Sequence, residues 1–194
     1  MKNKSIRNGI IIAVIVNIIF AAFGILLAVN GFKPPYVALF ITSLMIAYHT
    51  DVRILIGTTF SLFKSKINVE KKCFVVKEKE FKFLTKLGVK NWKDKFVAWD
   101  KSQFILKDVK NKENIEKVLK NNINAEIIHW VSFFVGFLAI LIGCLISIDE
   151  LWVYIITSVA TSLFVDLPPI LIQRYNRFRL QKILALSKKA DKAV

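Results

Sequence analysis

Of 194 residues only two are cysteine, Cys73 and Cys144, and only two are histidine. Two cysteines cannot staple a disulfide framework, and two histidines cannot form the His-rich boxes of membrane di-iron enzymes. Acidic residues are scarce too, 14 against 29 Lys and Arg, which leaves a formal net charge of +15. Gly88 stands alone in the polar middle of the chain, and no G-x-x-x-x-G-K or G-x-S-x-G string occurs. A phosphate-cradling loop and a serine-hydrolase elbow are therefore excluded.

Apolar residues are plentiful, at 55% with 16 Phe. That content excludes disorder. It also conflicts with a soluble basic protein, because a nucleic-acid binder of this charge is far less apolar. A membrane protein with basic cytoplasmic segments satisfies both numbers at once. No nucleic-acid partner is expected, because topology accounts for the lysines.

Four apolar runs predict an all-α membrane protein with transmembrane helices at about 10–29, 36–57, 127–148 and 151–172. Each is long enough to cross ~30 Å of hydrocarbon at 1.5 Å per residue. The first run follows Lys2, Lys4 and Arg7, as a signal peptide would. Its length exceeds the usual apolar region of about 7–15 residues, so a retained helix is expected. The stretches 30–35 and 149–150 allow only tight hairpins. Residues 1–194 are read as one membrane domain, with 64–126 as a cytoplasmic amphipathic insertion.

Charge predicts orientation. The 64–126 segment carries 17 Lys and nine acids, while the 149–150 hairpin holds Asp149 and Glu150 and no cation. The positive-inside rule then places both termini and the insertion in the cytoplasm of a multi-pass protein of the bacterial cell membrane. Within the insertion, Lys77–Leu87 reads as a helix with apolar Phe81, Leu84 and Leu87 and a capping Gly88. Ile115, Val118, Leu119 and Ile123 form a stripe predicting a helix over Lys112–Ile123 that runs into the third span. Trp92, Phe96, Trp99, Phe104 and Ile105 sit among lysines in Asn91–Asp108, a mixture suited to the membrane interface.

The ionisable residues inside the apolar runs are the candidate site. His49 and Arg53 are four apart on the second span; Glu126 and His129 are three apart at the mouth of the third. Asp166 lies in the fourth, with Pro168 and Pro169 expected to kink it before Gln173, Arg174, Tyr175, Asn176 and Arg177. Charges in hydrocarbon pair or line a cavity, so one polar cavity at the inner leaflet is expected, walled by helices two to four and roofed by the insertion. His129 beside Glu126 suits deprotonation of a hydroxyl. Arg174, Arg177 and the lysines suit a phosphorylated donor such as a CoA thioester, or a lipid phosphate. His49, Asp51, Glu126 and His129 also offer two imidazoles and two carboxylates, so a metal site stays open.

Several strings then point to a known family. Leu87-Gly88-Val89-Lys90-Asn91-Trp92-Lys93-Asp94 is followed by Ala125-Glu126-Ile127-Ile128-His129-Trp130. Next come Asp166-Leu167-Pro168 and Ile172-Gln173-Arg174-Tyr175-Asn176-Arg177-Phe178-Arg179-Leu180. Together with Tyr48-His49 and Arg53 this resembles the glycosyl-4,4'-diaponeurosporenoate acyltransferase family of staphyloxanthin-type carotenoid biosynthesis. The chain departs where Lys95-Phe96-Val97 follows Trp92-Lys93-Asp94, and where Phe178 replaces a frequent proline. The resemblance implies an integral-membrane acyltransferase moving a fatty acyl group onto a hydroxyl of a lipid or glycolipid acceptor at the inner leaflet. Acyl-CoA or another acyl carrier is the implied co-substrate, with no bound cofactor.

On that reading His129 is the catalytic base and Glu126 its orienting partner. His49, Arg53, Trp92, Lys93, Asp94, Asp166, Gln173, Arg174, Tyr175, Asn176 and Arg177 are the expected substrate-binding residues. The competing reading is a lipid- or small-molecule-binding or transport subunit without chemistry.

Overall fold

The computed structural model describes residues 2–63, 66–92, 105–106, 108, 111–146 and 148–191. The described residues are mostly helical, with no strand among them. Helix α1 spans Lys2–Asn30, α2 Pro34–Phe63, α3 Glu78–Lys86, α4 Lys112–Ile146, α5 Leu151–Thr161 and α6 Leu167–Asp191. Four stretches, Arg7–Asn30, Pro34–Phe60, Lys112–Leu145 and Leu151–Lys188, are long and apolar enough to cross a membrane. Lys93, Asp94, Phe96, Trp99 and Phe104 lie outside the described residues, and with them most of the expected interfacial stretch.

The hairpins form as their sequences dictate. Gly31 takes φ 70° just past α1, a conformation that costs a residue without Cβ little. Pro34 then opens α2, where its missing N–H costs nothing because the first-turn donors have no helical partner anyway. Gly88 likewise takes φ 71° after α3, as its expected capping role requires. Helix α3 stops at Lys86, so Leu84 is buried while Leu87, beyond the last helical residue, is 42% exposed. The expected Phe81–Leu84–Leu87 stripe therefore ends one residue early.

The expected kink at Pro168 and Pro169 takes another form. A π-helical turn at Ser162–Asp166 precedes them, and α6 then runs on to Asp191. The physical reason lies four residues back. The two prolines cannot donate to the carbonyls of Phe164 and Val165, and their rings crowd those oxygens; a wider turn relieves both problems.

The chain divides into two compact units, Met1–Thr58 with Trp130–Leu167, and Thr59–His129 with Pro168–Val194. In the first, Ile41, Met45, Ala139, Val153 and Tyr154 make a core joining α2, α4 and α5. The long apolar side chains Ile18, Ile25, Phe134, Leu141 and Phe164 point outward and are exposed, as lipid-facing positions are. Gly143 lets α4 approach α5 closely, since a Cβ there would stand 2.6 Å from the Tyr154 ring. In the second unit Ile115, Leu119 and Ile123 are fully buried against Val69, Leu180 and Leu184. The expected stripe on α4 is thus the seam of that core. A further cluster of Leu84, Val89, Ile172 and Tyr175 docks α3 on α6, with Trp92 packed at its edge.

Candidate functional site

The ionisable residues of the apolar runs fall into two clusters, one in each unit. In the first unit, α2 presents His49 and Arg53 one turn apart. The Arg53 guanidinium meets the fully buried Asp166 carboxylate at 2.5 Å. Pairing leaves the site neutral, which is how charge becomes tolerable among apolar helices. His49 is 5% exposed and lies over Gly136 of α4, where a Cβ would stand 2.5 Å from its ring. The same point is 3.4 Å from the Ser162 hydroxyl at the start of the π turn. Tyr48 donates its phenolic hydrogen to the Val135 carbonyl at 2.9 Å, fixing the neighbouring turn of α2 against α4. Asp51 points elsewhere, and its two carboxylate oxygens accept from the Asn17 amide of α1, each at 3.2 Å.

In the second unit, Glu126 is the centre. Its carboxylate is buried, receives Arg174 Nη1 at 2.9 Å and forms an ion pair with Arg177. Arg174 also forks onto Glu80 of α3 through Nε and Nη2, the latter at 2.9 Å. Two guanidiniums thus balance two carboxylates, and the fork geometry is one that lysine cannot reproduce. Arg177 is 1% exposed, and its Nε and Nη2 meet no hydrogen-bond partner among the described residues. His129 follows Glu126 by three residues on α4 and is half-buried. Gln173 accepts a hydrogen bond from the buried Asn122 amide.

Tyr175 and Phe178 stack on Phe81, with ring centroids 5.0 and 4.2 Å away. The aromatic ring at position 178 therefore clamps α3 onto α6. Asn176 lies half-buried between them in sequence.

Residues 62–186 match the sequence pattern of the glycosyl-4,4'-diaponeurosporenoate acyltransferase family. The chain belongs to that family. No curated protein and no solved structure matches it. Glu80, Trp92, Glu126, His129, Asp166 and the whole 173–177 string fall inside the acyltransferase match, whereas His49 and Arg53 precede it. Among the described residues, no three His, Cys, Asp or Glu side chains are grouped to hold a metal ion.

Glu80 escaped the sequence reading although a signal existed. It sits four residues before the buried Leu84, hence on the same face of α3. The serines Ser132, Ser158 and Ser162, all buried, carry no motif that marks them.

Proposed function

We propose that the chain transfers a fatty acyl group from a thioester carrier such as acyl-CoA to a hydroxyl of a glycolipid acceptor. The observation that carries this reading is the family match over 62–186, which contains the whole buried network around Glu126. In the proposed reaction His129 takes the hydroxyl proton, the alkoxide oxygen attacks the thioester carbonyl, and the C–S bond breaks. The leaving thiolate takes the proton back from the imidazolium. Charge develops on the carbonyl oxygen, and the Nε and Nη2 donors of Arg177, which meet no partner among the described residues, suit that oxygen. Glu126 holds Arg177 and Arg174 in place while Glu80 fixes the far side of Arg174. Gln173, Tyr175, Asn176, Trp92, Lys93 and Asp94 are assigned to the polar parts of donor and acceptor. The reading keeps the four spans in the bacterial cell membrane, with both termini and 64–126 cytoplasmic, so that the chemistry faces the inner leaflet.

The test is turnover of a labelled acyl thioester by membranes containing the full chain and a glycolipid acceptor. His129→Ala should lower the rate by about 10²–10⁴-fold, the usual contribution of a general base. Equal rates for His129→Ala and the parent chain would overturn the assignment.

A further inference from the structure

A groove of about 370 Å³ runs between α1 and α2 in the first unit. Ile10, Val14 and Asn17 line it from α1, and Asp51, Ile54 and Leu55 from α2. Residues spaced i, i+3, i+4 and i+7 share a helical face, so each wall is one stripe and the groove follows the helix axes. Ile10, Val14 and Leu55 are more than half exposed, so nothing among the described residues covers the groove.

Asp51 is the anomaly in these aliphatic walls. Asn17 Nδ2 donates to both its carboxylate oxygens at 3.2 Å while also donating to the Ala13 carbonyl at 2.9 Å. One shared neutral donor leaves most of the acceptor capacity of the carboxylate unused and all of its charge uncompensated. Among the described residues no cation pairs with it, since Arg53, two residues on, is held by the buried Asp166. Asn17 stands ten residues, about 15 Å of helix, in from Arg7, and Asp51 nine residues, about 14 Å, in from Phe60. A carboxylate that far inside an apolar span is costly until a cation pairs with it.

Lipid ammonium groups stay at headgroup level, so a cation at this depth arrives on a helix. A second copy of this chain brings none. The only Lys or Arg within the apolar runs 10–29, 36–57, 127–148 and 151–172 is Arg53, which Asp166 already holds. We infer that the groove docks the transmembrane helix of a different membrane protein, one that carries a Lys or Arg inside its span. That cation sits on the Asp51 carboxylate, and the aliphatic side chains around it pack on Ile10, Val14, Ile54 and Leu55. Such docking requires that α1 and α2 cross the membrane and is independent of acyl transfer.

The probe is a fluorescent poly-leucine peptide of about 22 residues, long enough to span, with one lysine about ten residues from one end. Energy transfer to the labelled full chain in phosphatidylcholine vesicles reads its binding. The lysine peptide should bind about tenfold more tightly than the same peptide with leucine in that place, the order that interhelical polar contacts contribute in bilayers. Asp51→Asn keeps the size and removes the charge, and should bring the two peptides within twofold. Asp149→Asn, the same charge loss in the exposed 149–150 hairpin, should leave the preference intact. Equal binding of both peptides by the parent chain, or equal loss in both variants, would overturn the site. Displacement of the lysine peptide by a long-chain alkylamine, lost in Asp51→Asn, would assign the groove to a lipid amine. Asp51-dependent energy transfer between two labelled copies of the chain would assign it to self-association. Either result would overturn the partner helix.

Discussion

Arg53 and Asp166, 113 residues apart in the chain, meet at 2.5 Å and close α2 onto the π turn. Asp166 is fully buried and the Arg53 side chain is 17% exposed. Removing one partner strands the other charge among apolar helices, a loss of about 3–5 kcal/mol for buried pairs. Asp166→Ala should therefore lower the thermal unfolding midpoint of detergent-solubilised protein sharply. Arg53→Met combined with Asp166→Leu should recover much of it, because neither charge is then left alone. A double variant no more stable than Asp166→Ala would show that the pair is not the source of the loss.

Gly136 offers a second handle on the same unit. A Cβ there would overlap the His49 ring at 2.5 Å, and the ring itself is buried. Gly136→Ala should destabilise by about 1–3 kcal/mol through overpacking. Adding His49→Ala removes the obstacle, so the double variant should lose less than the two single losses together. Additive losses in a double-mutant cycle would contradict the contact.

At Arg174 the shape of the cation matters as much as its charge. Its guanidinium forks onto Glu80 while also reaching Glu126. Arg174→Lys keeps the charge and loses the fork, so it should behave much like Arg174→Gln in acyl-transfer rate and in unfolding midpoint. Full activity in the lysine variant would mean that a point charge suffices.

Glu70 gives a pH-dependent prediction. Its carboxyl lies below the usual carboxylate range, chiefly through the hydrogen bond from Lys188 and the charge of that lysine. A depressed value means that the pair contributes above the unfolded carboxylate range and that the contribution fades as pH falls through the lowered value. The gap in unfolding midpoint between the parent chain and Glu70→Gln should be small near neutrality and vanish in acid. It should also shrink with added salt, since both groups are accessible to solvent. A gap that widens in acid would reverse the assigned sign.

Local pattern decided much of the fold. Hydropathy alone located the four membrane-length helices, and the Ile115–Ile123 stripe announced a buried seam through its helical spacing. Gly88 marked a helix end through the left-handed backbone it permits, and Gly31 takes the same backbone just past α1. The choice of polar partners was not local. Glu126 and His129 share a face by spacing, and the Glu126 carboxylate is also held by Arg174 and Arg177, 48 and 51 positions further on, while Glu80 joins from a third helix. Hydrogen-bond partners follow from which helices pack side by side, and helical period carries no record of that. The π turn lies between these extremes. Pro168 and Pro169 foretold a disturbance, and it takes the form of one widened turn, Ser162–Asp166, ahead of α6. The sequence by itself determined where the long apolar helices lie and which residues need partners; the tertiary structure decided which partners they found.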